Sequence, residues 1–110
     1  MSVREGDVLR PVPDDARSTT LIGEYVGWLE RERSLRFDNY DDLYRWSVDD
    51  LDAFWQSIWD FFEVRSHSPH SAVLADARMP GAVWFPGATL NWAEHAVGTW
   101  RDPSGLALIE

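Results

Sequence analysis

The chain has 110 residues and a formal net charge of −9, and all ten of its basic residues are arginine. This acidic balance argues against nucleic acid, which needs a basic face, and against binding to an anionic membrane surface. Because the chain has no Cys, disulfide bonds and thiolate zinc sites are excluded. The hydrophobic fraction of 45% and the seven Trp residues indicate a folded domain rather than a disordered, highly charged chain.

No apolar run is long enough to cross a bilayer, since the longest runs contain only a few residues. The first seven residues, which include Arg4, Glu5 and Asp7, lack the apolar core of a signal peptide. We therefore expect a cytoplasmic protein.

The first third of the chain predicts an extended lead-in followed by a helix. Residues 1–17 contain two prolines and few large apolar side chains, which is typical of an extended segment. A cap at one of residues 18–20 then begins a helix that runs to about Arg33, because apolar side chains recur there at spacings of three and four. Gly23 and Gly27 each weaken that helix by up to ~1 kcal/mol relative to Ala, and they are expected to allow close packing instead.

The middle of the chain predicts two more helices. Residues 40–46 indicate one or two helical turns, and Ser47 is the predicted N-cap of the helix with the clearest pattern, with Asp50 at its N3 position. The apolar stripe of this helix must be buried against another element. Its members are Leu51, Phe54, Trp55, Ile58, Phe61 and Phe62, widened by Val48 and Trp59.

Two Pro-Gly pairs bracket an aromatic pair further along the chain. Pro80-Gly81 and Pro86-Gly87 each combine the fixed φ of proline with the positive φ that glycine supplies at the next position of a type II turn. Trp84 and Phe85 are therefore predicted to lie on a short, rigid segment between two turns. A brief strand is compatible with residues 72–75.

The last quarter predicts a helix and then the beginning of a strand. Asn91 with Glu94 three residues later resembles a capping box, and Pro103 is expected to end the helix near Arg101. The apolar run at residues 106–110 is typical of the start of a buried strand that has no partner strand after it.

Several patterns resemble ligand sites, and for each we favour a structural interpretation. His67 and His70 have HxxH spacing, with Asp76 and His95 as conceivable further metal ligands, but zinc requires three or four converging ligands, so a solvated Ser/His loop is expected. The aromatic stripe is interpreted as core rather than as a ligand platform. A run of carboxylates lacks the Gly and closing Glu of a calcium-binding loop and is expected to be a solvated face; its members are Asp38, Asp41, Asp42, Asp49, Asp50 and Asp52.

Paired carboxylates for acid–base catalysis remain an open alternative, since any acidic protein offers candidate pairs. No glycine-rich phosphate-binding motif occurs in the sequence. The residues alone therefore predict an acidic, helical domain without an identifiable catalytic group.

Two stretches resemble a known family. The stretch Tyr40-Asp-Asp-Leu-Tyr-Arg-Trp-Ser-Val48 followed by Phe54-Trp55 resembles the N-terminal region of acyl-CoA synthetases of the adenylate-forming superfamily. The second stretch more narrowly resembles the acetoacetyl-CoA synthetases (acetoacetate–CoA ligases). It comprises Met79-Pro-Gly-Ala82, Trp84-Phe-Pro-Gly-Ala88, Leu90-Asn91 and Ala93-Glu94. The residues that carry this structural motif are Trp46, Ser47, Phe54, Trp55, Pro80, Gly81, Trp84, Phe85, Gly87, Asn91 and Glu94.

The resemblance implies a mainly α fold, a small N-terminal layer of three or four helices with Pro-Gly turns. It divides the chain into a lead-in (1–17), a helical N-terminal domain (18–105) and the first strand of an α/β catalytic core (106–110). In the family, the full-length enzyme uses ATP, Mg²⁺ and CoA to convert acetoacetate through an acyl-adenylate to acetoacetyl-CoA. The family's catalytic and ligand-binding residues all lie beyond this region, so the resemblance assigns no catalytic, cofactor-binding or metal-binding residue to this chain.

Two classes of function remain. The first is a ligase segment, inactive alone, whose partner is the remainder of the ligase. The second is a stand-alone helical interaction module, and the N-terminal part of a related acetyl- or propionyl-CoA synthetase is a further alternative. The apolar end at residues 106–110 favours the ligase segment, and it predicts exposed apolar surface and self-association of the isolated chain.

Overall fold

The computed structural model describes residues 2–97 and Ser104, and it confirms a mainly helical chain with a small two-stranded antiparallel sheet. Contacts divide the chain into two compact units, Met1–Asp42 and Leu43–Glu110. The helices of the described part are α1 (Ala16–Thr19), α2 (Leu21–Arg33), α3 (Tyr40–Asp49), α4 (Leu51–Phe61) and α5 (Trp92–Val97), and the strands are β1 (Leu74–Asp76) and β2 (Val83–Trp84).

Helix α2 of the first unit has the predicted bounds. The Thr20 side chain accepts a hydrogen bond from the Gly23 N–H at 3.1 Å, so one of the three predicted residues is the N-cap. The helix ends at Arg33, and Ser34 follows it in the left-handed conformation with φ 54°.

The end of the predicted lead-in forms the short helix α1, which packs closely on α2. A Cβ atom at Gly23 would lie 2.2 Å from the Arg17 carbonyl oxygen, so only glycine permits this approach. The predicted close packing is thus confirmed at Gly23, whereas at Gly27 the nearest atom is the end of the flexible Arg31 side chain. Three side chains form the buried apolar core of this unit: Tyr25, Leu29 and Phe37.

The predicted cap at Ser47 is wrong. Ser47 lies inside α3, where its Oγ donates to the Tyr44 carbonyl oxygen at 2.7 Å, and Asp50 is the N-cap of α4. The Asp50 Oδ1 accepts from the Ala53 N–H at 3.0 Å. Both residue types can cap a helix, but a serine within a helix can also bond back to its own preceding turn. The carboxylate also gains from the positive end of the helix dipole, which the hydroxyl does not.

The two strands belong to a longer irregular pairing that we call the ribbon, residues 67–76 and 83–89. Leu74 pairs with Trp84 and Asp76 with Val83, with an irregularity in register between them. Beyond the strands, the Phe85 N–H donates to the Val73 carbonyl oxygen at 2.8 Å. The His67 N–H likewise donates to the carbonyl oxygen of Thr89 at 2.7 Å, which closes the far end.

Both glycines of the Pro-Gly pairs have the predicted positive φ, 96° at Gly81 and 89° at Gly87. The Ala88 N–H donates to the Phe85 carbonyl oxygen at 3.1 Å and closes the turn around the second pair. Phe85 itself has φ 45°, an uncommon conformation for a residue with a Cβ atom, which the sequence did not predict.

The cap of α5 is confirmed, because Asn91 Oδ1 accepts from the Ala93 N–H at 2.9 Å. The reciprocal half of the capping box is wrong, since the Glu94 carboxylate lies against His67. The predicted helix end near Arg101 and the strand at 106–110 lie outside the described residues. In the part of the chain that the structure describes, no helix is long and apolar enough to cross a membrane.

Candidate functional site

The predicted aromatic residues meet where α4 packs on the ribbon. Trp55 contacts Trp84 edge-on, with ring centroids 5.8 Å apart. One turn further along α4, Trp59 stacks on Phe85 at 4.7 Å with the ring planes 30° apart. Because Trp55 and Trp59 are four residues apart on one side of α4, each can contact one member of the adjacent pair Trp84 and Phe85 on the ribbon. Offset-stacked and edge-to-face contacts between aromatic rings are favourable.

The aromatic contacts continue toward α3. Phe54 lies between Trp46, at a centroid distance of 5.8 Å, and Trp55, at 5.1 Å, and both contacts are edge-to-face. Trp55 nevertheless keeps 39% of its surface exposed and Trp84 keeps 42%. The stripe on α4 thus packs against another element, as predicted, but it is only partly buried.

His70 belongs to the same contact. Its ring lies 4.8 Å from that of Trp59 and 5.1 Å from that of Phe85. Its Nε2 is 2.9 Å from Gln56 Oε1, and Gln56 Nε2 donates to Asp60 Oδ1 at 3.0 Å. Because the amide nitrogen of Gln56 faces a carboxylate, its oxygen must accept from the imidazole N–H. The half-buried His70 therefore joins the ribbon to α4 through both stacking and a hydrogen bond.

The predicted Ser/His loop is solvent-exposed at His67 and Pro69, but side chains of residues 66–70 also hold other segments in place. Ser66 Oγ donates to the Ser68 carbonyl oxygen. Ser68 Oγ contacts the Gly87 carbonyl oxygen and lies 2.9 Å from Thr89 Oγ1. These bonds fix the closed end of the ribbon.

Two histidines attach α5 to the chain that follows α4. His67 Nε2 lies 3.0 Å from Glu94 Oε2, and His95 Nε2 accepts from the Arg65 N–H at 2.8 Å. Glu94 thus positions α5 through a contact 27 residues away rather than through the local cap that the sequence predicted.

An ion pair stabilises the connection between β1 and β2. Arg78 donates to both oxygens of Asp76, from Nε at 3.1 Å and from Nη2 at 2.6 Å, and its backbone N–H donates to Oδ1 at 3.0 Å. The side-chain hydrogen bonds from Arg78, followed by the backbone one, lower the pKa of Asp76. The same contact raises the pKa of Arg78.

The predicted motif residues thus fall into distinct places. Trp46, Phe54, Trp55, Trp84 and Phe85 are brought together. Asn91 and Glu94 lie at α5, and Gly87 lies in a ribbon turn where an added Cβ would be 3.1 Å from the Pro69 carbonyl oxygen. Pro80 and Gly81 lie in the exposed connection between the strands, apart from the aromatic contact.

Sequence reasoning missed the role of Gln56 and His70. The only signal was the spacing of four between Gln56 and Asp60, which places both on one side of α4. Among the residues that the structure describes, no three His, Asp or Glu side chains converge as a metal site would require.

The comparisons with known proteins agree with this arrangement. The family described as acetyl-coenzyme A synthetase N-terminus matches residues 40–96, which run from the start of α3 into α5. The solved structure of acetoacetyl-CoA synthetase from Streptomyces lividans is similar at 42% sequence identity with a TM-score of 0.72. The similarity covers 77% of this chain and 13% of that one.

Curated relatives give the same picture. Acetoacetyl-coenzyme A synthetase of Rhizobium meliloti is 34% identical over 88 residues, which are 80% of this chain and 13% of the relative. Acetoacetyl-CoA synthetase of Danio rerio is 32% identical over 96 residues, 86% of this chain and 14% of the relative. Propionate–CoA ligase of Salmonella typhimurium is 36% identical over 73 residues, 64% of this chain and 11% of the relative.

The fold is therefore that of the N-terminal region of acyl-CoA synthetases. More particularly, the chain belongs to the acetyl-coenzyme A synthetase N-terminus family. It spans about one seventh of the length of the acetoacetyl-CoA synthetases that it matches.

Proposed function

We propose that this chain is the N-terminal structural segment of an acetoacetate–CoA ligase and that it packs on the catalytic core formed by the remainder of the ligase. One observation carries the proposal. The chain is similar to the Streptomyces lividans acetoacetyl-CoA synthetase structure over 77% of its own length, yet it corresponds to only 13% of that enzyme.

The contacts of the motif residues support a structural role. The aromatic members hold α4 on the ribbon, Asn91 caps α5, and Gly87 permits a tight turn. ATP, Mg²⁺ and CoA would be bound by the remainder of the ligase, and none of the motif residues is assigned to them. We propose the same division of the chain as above: residues 18–105 as the N-terminal domain after a lead-in, and residues 106–110 as the start of the core.

The surface of the second unit fits a role in packing. Among its described residues, several large apolar side chains remain exposed: Tyr44, Val48, Leu51, Trp55, Val83 and Trp84. Trp55 and Trp84 are in contact with each other, so these two side chains form one continuous apolar surface. Exposed apolar surface of this kind is typical of contacts between domains or proteins.

Acetoacetate is the proposed acyl substrate because the acetoacetyl-CoA synthetases of Rhizobium meliloti and Danio rerio match 80% and 86% of this chain. The propionate–CoA ligase of Salmonella typhimurium matches a smaller share of this chain, 64%. A segment of a related short-chain acyl-CoA synthetase is the second candidate, and it is favoured by the 36% identity within that shorter match.

A chimeric enzyme tests the proposal. The matching segment of the Streptomyces lividans enzyme is replaced by the corresponding residues of this chain, and the same enzyme with the segment deleted is the control. We expect the chimera to retain acetoacetate-dependent exchange of pyrophosphate into ATP and the deletion variant to lose it. A folded but inactive chimera, or an active deletion variant, would contradict the proposal.

A further inference from the structure

The contacts of His95 define its protonation state. Its Nδ1 lies 3.0 Å from the Asn91 carbonyl oxygen, and a carbonyl oxygen can only accept, so Nδ1 carries a proton. Its Nε2 lies 2.8 Å from the Arg65 nitrogen, and a backbone N–H can only donate, so Nε2 offers a lone pair. Together these contacts require a neutral imidazole with its proton on Nδ1.

Protonation of His95 removes one of these contacts. The imidazolium carries N–H groups at both nitrogens and has no acceptor. Its Nε2–H would then face the Arg65 N–H, donor against donor, at a distance that suits only a hydrogen bond. The attachment of α5 to residue 65 is therefore compatible with neutral His95 only.

The neighbouring attachment has the opposite dependence on pH. His67 Nε2 lies 3.0 Å from Glu94 Oε2, and protonation of His67 turns this contact into a charge-assisted one. From the preceding segment, His67 is the titratable side chain that contacts α5, where it meets Glu94, while Arg65 contacts α5 through its backbone N–H. The other bonds near this point, between Ser66, Ser68 and Thr89, involve no titrating group.

We propose that His95 is a pH-sensitive latch for α5. The neutral imidazole holds α5 against the backbone of Arg65. Protonation of His95 opens this bond, and the His67–Glu94 pair then becomes the main attachment of the helix. This inference involves only contacts among residues 65–95 and does not depend on the proposed function.

The test uses NMR on the whole 110-residue chain, titrated between about pH 8 and about pH 5, the range in which histidine changes charge. Imidazole ¹⁵N shifts report the tautomer of His95. The amide shift and the exchange protection of Arg65, corrected for the intrinsic pH dependence of exchange, report the hydrogen bond. We expect the Nδ1–H tautomer at high pH and a loss of Arg65 protection of about tenfold, with the same midpoint as the His95 titration.

Two matched variants isolate the latch. His67→Gln removes the other titrating attachment and should leave the Arg65 transition in place. His95→Gln cannot titrate and should abolish that transition. An Nε2–H tautomer at high pH would overturn the proposal. So would Arg65 protection that stays constant while His95 titrates fully, and neither result requires a variant to fold.

Discussion

Trp59 of α4 stacks on Phe85, the residue that follows β2, with ring centroids 4.7 Å apart. His70 lies edge-on to both rings. Among the described residues of the second unit, Leu43 is the one large apolar side chain that is buried. The α4–ribbon contact therefore depends on half-buried aromatic side chains that touch each other rather than on a deep core.

This dependence predicts a clear difference between two tryptophans. Trp59→Ala removes the contacts with Phe85 and His70, and we expect a loss of about 2–3 kcal/mol in the free energy of unfolding, below the range for a fully buried aromatic residue. Trp92 is 81% exposed on α5, and Trp92→Ala should change that free energy by no more than about 0.5 kcal/mol. Urea unfolding measures both. Equal losses would show that the stack does not stabilise the fold.

The corrected cap of α4 predicts a second contrast. Asp50→Ala leaves the Ala53 N–H without its side-chain acceptor and should cost about 1 kcal/mol. Ser47→Ala removes only a bond to the preceding turn of α3, so we expect a change within about 0.5 kcal/mol. Thermal unfolding of the two variants under one condition provides the comparison. A larger loss of stability in Ser47→Ala than in Asp50→Ala would instead support Ser47 as the N-cap.

The two glycines of α2 predict effects of opposite sign. Gly23→Ala would place a Cβ atom 2.2 Å from the Arg17 carbonyl oxygen, so α1 must move and the first unit should be destabilised. Gly27→Ala meets only the flexible Arg31 side chain, so the gain in helix propensity, up to about 1 kcal/mol, should stabilise the protein. Circular dichroism melts of the two variants measure the difference. Two variants with the same stability would be incompatible with the close approach of α1 to Gly23.

The Asp76–Arg78 ion pair predicts that the stability of the fold depends on pH in the acidic range. The pKa of Asp76 is lowered in the folded chain, so the pair stabilises the fold fully above the unfolded pKa, near 3.8, and loses that effect as the pH falls through the lower folded pKa. Arg78→Ala should bring the pKa of Asp76 back toward 3.8. Carboxyl ¹³C shifts measure this pKa directly.

Arg45→Ala is the matched control for the ion pair, because it removes one positive charge from an exposed position on α3. We expect the pKa of Asp76 to remain lowered in this variant. If both substitutions raise that pKa equally, net charge rather than the hydrogen bonds from Arg78 is its cause.

Local signals in the sequence predicted much of the secondary structure. Thr20 and Asn91 cap helices as expected, because a side-chain acceptor at a helix start acts within three residues. The positive φ of Gly81 and Gly87 followed from their Pro-Gly pairs. The prediction of Ser47 as the N-cap was wrong because Ser47 and Asp50, three residues apart, are both good cap residues. The choice between them depends on where α3 ends.

The contacts of the candidate site were less predictable because they join distant segments. The aromatic stripe showed that α4 packs on something, but periodicity does not indicate which element lies opposite. The bonds of His67 to Glu94 and of His70 to Gln56 cross 27 and 14 residues, and polar pairs at such separations leave no repeating pattern. The positive φ of Phe85 is likewise set by the surrounding turn and not by the residue type.

The most direct test of the proposed function is to reconstitute the ligase from two parts. The 110-residue chain is mixed with Streptomyces lividans acetoacetyl-CoA synthetase that lacks its matching segment, and acetoacetate-dependent exchange of pyrophosphate into ATP is measured. We predict no exchange by either part alone and restored exchange on mixing. Exchange by the 110-residue chain alone, or two folded parts that neither bind nor restore exchange, would contradict the assignment of this chain as the N-terminal structural segment of the ligase.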